Sequence, residues 1–315
     1  MAAKLAPSET ASRPAGSLSG AIGSTPLVEL PRFARGAARL FAKLEWFNPG
    51  GSVKDRIARS MLDDAEERGL LARGGTIVEA TSGNTGVALA LLAASRGYRC
   101  VIVMPEGSGE VKAKLMTAAG AELVRTPVEA RMAGAVARAL EIAASTPGSW
   151  VPAQFQNPVN PRTHYETTGP EIVEQLGGRI DAWVAGVGTT GTFTGVARYL
   201  TERFPGVLRV AVEPQGSILG GGKLGPHEVE GIGLSQIWPI LDRSLIDEIV
   251  TVPDAPAFST CGTLAREEGL FVGGSSGAAA DAALQIARRL GPGKTVVTLF
   301  PDGAERYPNQ GILNG

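Results

Sequence analysis

Residues 48–56 read Asn-Pro-Gly-Gly-Ser-Val-Lys-Asp-Arg, and the reactive group among them is the amine of Lys54. Ser52 followed three residues later by Asp55 has the form of a capping box, which predicts Ser52 as a helix N-cap and places Lys54 in the first turn. A helix N-terminus carries partial positive charge and unpaired N–H groups, so it favours anions and pushes an ammonium toward its neutral form. A neutral amine attacks carbonyl carbon, the usual route to a Schiff base. A lone lysine beside a cap is most often a solvated charge, so Lys54 acquires meaning only from the rest of the chain.

Two other stretches have residue types suited to holding anions. Gly186-Val187-Gly188-Thr189-Thr190-Gly191-Thr192 follows a predicted strand and opens a predicted helix, an arrangement that turns backbone N–H groups toward a phosphate. Its letters also satisfy G-x-G-x-x-G, with Glu213 ending the next strand, so a nicotinamide-dependent oxidoreductase competes. The three threonine hydroxyls favour one terminal phosphate over a pyrophosphate, which needs mainly bare glycine backbone. Thr81-Ser82-Gly83-Asn84-Thr85-Gly86 repeats the strand-to-helix setting and offers hydroxyls, an amide and N–H groups to a carboxylate, although capping by Ser82 or Asn84 would explain it as well. Gly273-Gly274-Ser275-Ser276-Gly277 is a third such turn.

The elements that must position these loops alternate. Periodicity predicts strands at 40–44, 76–80, 100–104, 122–125, 150–155, 181–186, 209–213, 246–252 and 295–300. Helices are predicted at 87–95, 111–119, 129–144, 170–176, 191–203, 255–268 and 276–290. Such an order argues for an α/β protein with mostly parallel sheets covered on both faces, and 315 residues suffice for two domains with a cleft between them. Ligands of such sheets sit at the carboxyl ends of the strands. The 42 glycines exceed the usual share and fall in short loops, where backbone can approach a ligand.

Composition narrows the function classes. A net charge of −1 without long runs of one sign leaves no footprint for nucleic acid or an anionic membrane, and no apolar run is long enough to span a bilayer. Cys100 and Cys261 match no metal or redox spacing and read as packing residues in a reduced, cytoplasmic setting. Two histidines, His164 and His227, are too few for a histidine-based metal site, and no metal is expected. The first eighteen residues, rich in Ser, Ala and Pro, read as a loose arm and not as a signal peptide.

The lysine stretch, Thr81–Gly86, Gln154-Phe155-Gln156-Asn157-Pro158, Thr167-Thr168-Gly169-Pro170-Glu171, Gly188–Thr192, Glu230-Gly231-Ile232-Gly233 and Gly274-Ser275-Ser276-Gly277 occur in the order seen in the cysteine synthases. The chain resembles that family, also called O-acetylserine sulfhydrylase, from about Gly20 to near its end. The resemblance implies the tryptophan-synthase-β-like fold of pyridoxal-phosphate enzymes (fold type II): two three-layer αβα domains with the active site in the cleft. By that likeness, residues 48–158 form the smaller, substrate-loop domain, and 19–47 with 159–315 the larger, cofactor-phosphate domain, preceded by the arm 1–18. It further implies that Lys54 holds pyridoxal 5'-phosphate and moves the substrate α-proton. Gly188, Thr189, Thr190, Gly191 and Thr192 would cradle the phosphate, Asn84 would bond the ring hydroxyl, and Ser275 would face the ring nitrogen. Thr81, Ser82, Thr85 and Gln154, with Gly231 nearby, would receive the amino-acid substrate. The implied reaction is β-replacement: O-acetylserine loses acetate through an aminoacrylate, and a sulfur nucleophile, sulfide, adds to give L-cysteine. A homodimer is implied too.

The chain departs from the family's usual letters in three places. Thr190 replaces the central glycine of Gly-Thr-Gly-Gly-Thr; Glu106-Gly107-Ser108-Gly109-Glu110 stands where a Met-Ser pair is usual; and Asp302-Gly303-Ala304-Glu305-Arg306-Tyr307-Pro308 only partly matches Gly-Glu-Arg-Tyr-Leu-Ser. The last difference bears on whether a serine acetyltransferase tail docks. Within the family, a cystathionine β-synthase-like enzyme or one using O-phosphoserine competes, since Val229–Gly233 and Gly273–Ser275 resemble the former slightly more.

Overall fold

In the computed structural model, which describes residues 15–310 and 312, ten strands fall into two sheets. The larger contains β1 (Leu27–Glu29), β2 (Arg39–Leu44), β7 (Ala182–Gly186), β8 (Leu208–Pro214), β9 (Glu248–Val252) and β10 (Thr295–Phe300) in the order β1-β2-β10-β7-β8-β9. All its pairings are parallel except that of β1 with β2. The smaller is wholly parallel, with β3 (Thr76–Ala80), β4 (Arg99–Pro105), β5 (Glu122–Thr126) and β6 (Ser149–Trp150) in the order β5-β4-β3-β6. The helices are α1 (Lys54–Glu67), α2 (Asn84–Arg96), α3 (Glu110–Ala118), α4 (Arg131–Ser145), α5 (Val159–Thr163), α6 (Gly169–Leu176), α7 (Gly191–Arg203), α8 (Asp254–Glu268) and α9 (Gly274–Leu290).

Each sheet is the middle of three layers, and strand alternation shows why. Ala182 and Val184 of β7 pack on α8 and α9, while Trp183 and Ala185 face the α6–α7 side. In the smaller sheet Ile77, Ile102 and Met104 face α1 and α2, and Val78, Val101 and Val103 face Ala135 and Ala139 of α4. Strands buried on both faces read as continuous apolar runs, as these do. Ile22 and the partly buried Leu18 pack with the smaller core. The expected arm falls mostly on residues 1–14, outside the described residues.

Two stretches differ from expectation. The strand expected at 150–155 stops at Trp150, because Pro152 has no N–H for a ladder and Ala153 takes φ +50°. The freed segment turns into the space between the sheets. Residues 159–168, unassigned from the sequence, are helical: α5 continues through a π-helical turn, His164–Thr168, into α6. A π turn has no periodicity signature.

A buried ionic cluster anchors α1. The Arg56 guanidinium is 2.7 Å from both Glu45 and Glu171, and Lys43 is 2.7 Å from Glu171. Burial alone would raise the Glu171 carboxyl, but Arg56 and Lys43 outweigh it and hold it down at about 2. Both cysteines are buried, and burial pushes their thiols up to about 12, as suits packing residues. Among the described residues no helix is long and apolar enough to cross a membrane, and no cluster of three or more His, Cys, Asp or Glu could hold a metal.

Candidate active site

The carboxyl ends of β3, β7 and β10 converge on a cavity of about 820 Å³ between the two sheets. Lys54, Gly188, Thr189, Thr190, Thr192, Asn84 and Ser275 line it, as do Thr81, Thr85, Gln154 and Gly231. Gly191 is buried behind the loop, and Ser82 stands half-buried outside the lining. Residues separated by more than 200 positions thus face one space.

Lys54 is the first residue of α1, but the expected cap is not formed. Val53 already has helical angles, and the Ser52 hydroxyl accepts only a 3.3 Å bond from the Lys54 N–H. Asp55 does not return to Ser52; its carboxylate accepts the Gly50 N–H instead, which fixes the Pro-Gly-Gly turn. Ser52 itself forms a backbone bridge to Asp302 beyond β10. The perturbation of the amine also has a different chief cause. Burial lowers the Lys54 pKa, and the Asp302 and Glu45 carboxylates oppose it.

The 186–192 turn joins β7 to α7, whose first-turn N–H groups have no intrahelical acceptor. Thr190, in place of the family's glycine, takes φ +74°, a left-handed conformation that costs an L-residue about 1–2 kcal/mol. Its Oγ1 is buried with no hydrogen-bond partner among the described residues. Asn160 braces the turn from α5: its Nδ2 donates to the Gln154 carbonyl (2.8 Å) and to Thr189 Oγ1 (3.2 Å). It packs so closely on Gly191 that a Cβ there would collide with its amide. A strained loop with an orphaned hydroxyl and free N–H groups, facing a desolvated amine, fits a phosphorylated aldehyde.

The 81–86 turn is supported from elsewhere in the chain. Neither Ser82 nor Asn84 caps α2; the N-cap is Gly83, whose N–H donates to Thr81 Oγ1 at 3.1 Å. Thr85 Oγ1 donates to Gln154 Oε1 at 2.6 Å. Asn84 donates to Asp302 Oδ2 (2.6 Å) and accepts from Arg306 (2.8 Å), while Tyr307 donates to the same Asp302 oxygen (2.5 Å). Lys112 of α3 closes one wall, 2.7 Å from Glu230 and 4.1 Å above the Tyr307 ring. Glu79 of β3, 3% exposed, also lines the cavity; burial raises its carboxyl to about 7 against the amides of Ala153 and Gln154. Sequence reasoning passed over Glu79, Lys112 and Asn160, and weighed His164 only as a metal ligand. It noted 302–307 only as a departure.

Glu213 does not serve a dinucleotide here. Its oxygens accept the Leu219 and Gly220 N–H groups at 2.9 and 3.0 Å, so its own chain occupies the group that would meet a ribose.

Two mostly parallel three-layer units with a lysine and a phosphate-type turn in the intervening cavity define the fold type II class of pyridoxal-phosphate enzymes. The family model described as pyridoxal-phosphate dependent enzyme matches residues 18–302, and the chain belongs to that family. It is similar to the probable cysteine synthase of Bacillus subtilis, 48% identical over 291 residues that cover 91% of this chain and 94% of the relative. Among solved structures it is similar to O-acetylserine dependent cystathionine beta-synthase from Helicobacter pylori (44% identity, TM-score 0.89, 95% of this chain and 98% of that one). It is also similar to O-ureido-L-serine synthase (43% identity, TM-score 0.92, 95% of each chain). Pyridoxal 5'-phosphate is the cofactor.

Proposed function

We propose that this enzyme makes L-cysteine by β-replacement, taking O-acetylserine as donor and sulfide as nucleophile. The observation that carries this is one cavity shared by the Lys54 amine, the 188–192 turn and the hydroxyl-bearing 81–86 turn. The bound cofactor supplies an electron sink for the α-carbon of the amino acid. Gly188–Thr192 hold its phosphate through helix-terminal N–H groups and threonine hydroxyls, with no lysine or arginine required. Lys54, whose pKa burial lowers, accepts the α-proton and returns it. Thr81, Thr85 and Gln154, which line the cavity, hold the substrate carboxylate, and Asn84 meets the ring hydroxyl. Ser275, which lines the cavity, would offer a hydroxyl and not a carboxylate to the ring nitrogen, which would limit charge delocalisation and favour elimination over transamination.

A thiol amino acid such as homocysteine is the second reading for the nucleophile, supported by the likeness to an O-acetylserine dependent cystathionine beta-synthase. Mixing the yellow holoenzyme with O-acetylserine, O-phosphoserine or serine, then with sulfide or homocysteine, separates these readings. Cysteine formed fastest from O-acetylserine and sulfide supports the proposal; no cysteine from any donor contradicts it. We further infer a homodimer in the cytoplasm; an acetyltransferase tail is the candidate second partner.

A further inference from the structure

His164 lies in the π-helical turn before α6 and is 1% exposed. Its Nδ1 is 2.9 Å from Thr168 Oγ1 and its Nε2 is 3.1 Å from Thr192 Oγ1. Thr192 belongs to the phosphate turn and lines the cavity. The ring fits because α7 has Gly195 at the crossing, where a Cβ would collide with the Pro161 carbonyl and the His164 Cβ. We propose that His164 is a positioning residue for the cofactor phosphate: its Nε2–H donates to Thr192 Oγ1, leaving the Thr192 hydroxyl proton to point at the phosphate.

Proton counting selects this tautomer. A neutral imidazole has one N–H donor and one bare acceptor nitrogen. Thr168 is fully buried, and His164 Nδ1 is the only partner of its hydroxyl among the described residues. If Nδ1 carried the proton, Thr168 would have to accept it, and its own hydroxyl proton would be buried without an acceptor, which is costly. Thr192 would then have to donate to Nε2 and would offer a phosphate only lone pairs. With the proton on Nε2, Thr168 donates to Nδ1, Thr192 accepts from Nε2, and every hydrogen has a destination. Burial, followed by the Arg56 charge, pushes the imidazole well below its ordinary pKa against the weaker pull of Glu171, which favours the neutral ring that this proton count assumes. His164 and Thr168 are the first and last residues of the π turn, and π turns recur at functional sites.

The inference rests on the phosphate being held at 188–192, and its test separates the two. The protein has only two histidines, and the second is an internal reference: His227 Nδ1 faces the Val229 carbonyl at 3.0 Å, so it must carry its proton on Nδ1. In histidine-15N-labelled holoenzyme at pH 8, His164 should show a protonated Nε2 and a bare Nδ1, the reverse of His227. His164→Gln, whose amide nitrogen reaches the Nε2 position, should hold the cofactor within a few-fold of wild type, whereas the shorter His164→Asn should weaken it on the order of tenfold. Thr192→Val should cause the same loss and shift the bound-phosphate 31P signal, and adding His164→Asn to it should cost little more. A His164 protonated on Nδ1, equal cofactor affinity in the Gln and Asn variants, or additive losses would each overturn the assignment. A wild-type protein that binds no pyridoxal phosphate would overturn the cofactor site itself, while the tautomer pattern would still be readable.

Discussion

The 186–192 and 81–86 turns have the same sequence grammar but are held in place differently. Both leave a parallel strand, both are rich in Gly, Thr and Ser, and both open a helix. The first is fixed by local backbone strain at Thr190 and by Asn160 and His164 from the neighbouring α5 region. The second is assembled from distant pieces: Gln154 holds Thr85, while Asp302 and Arg306 hold Asn84 across 218 and 222 residues. Under the proposed function the first would grip the resident cofactor, while the second would meet the exchanging substrate.

This contrast is broken most severely at Gly191. Gly191→Ala should drive a methyl group into Asn160, displace the turn, cost about 3 kcal/mol of stability and weaken the cofactor by about a hundredfold. Thermal denaturation and an absorbance titration with pyridoxal phosphate measure both.

A slightly smaller effect is expected at Glu79, beside the other turn. An acid whose pKa rises from 4.5 to about 7 on folding binds more protons when folded than unfolded across that window, so stability falls as pH rises through it and is not regained above. Glu79→Gln should remove this fall and be more stable than wild type above pH 7 by about 3 kcal/mol. Chemical denaturation at pH 5 and pH 8 checks it; an unchanged pH slope would refute the assignment.

Asp302→Ala should release Asn84 and Tyr307 at a cost of about 1–2 kcal/mol. Its signature is a split: kcat/KM for O-acetylserine falls about tenfold while cofactor affinity, losing only the Asn84 contact to the ring and none to the phosphate, falls about two- to threefold. Loss of the cofactor instead would mean that the two turns are not separable. The smallest effect belongs to Thr190→Gly, which relieves the left-handed strain and should raise apo-protein stability by about 1 kcal/mol while loosening the cofactor a few-fold. Differential scanning calorimetry of the apo form would show the gain.

What the sequence disclosed follows the same division. The strand–loop–helix setting of the 186–192 turn was legible because its pieces are contiguous, and the alternation of elements exposed the two-sheet architecture. The reason the sequence offered for a perturbed Lys54 was partly mistaken: the perturbation comes chiefly from burial, which depends on the whole fold, and not from a capping box at Ser52. Asp302, Arg306 and Tyr307 were visible as odd letters, but no local rule connects them to Asn84. The π turn that presents His164 has no periodic signature, and the strand assigned to 150–155 ignored the missing N–H of Pro152.

The most direct test is where the aldehyde attaches. Borohydride reduction of the holoenzyme followed by peptide mass mapping should find one pyridoxyl group, on the peptide containing Lys54, and none in Lys54→Ala. A pyridoxyl group on Lys43 or Lys112, or none on the wild-type protein, would contradict the assignment.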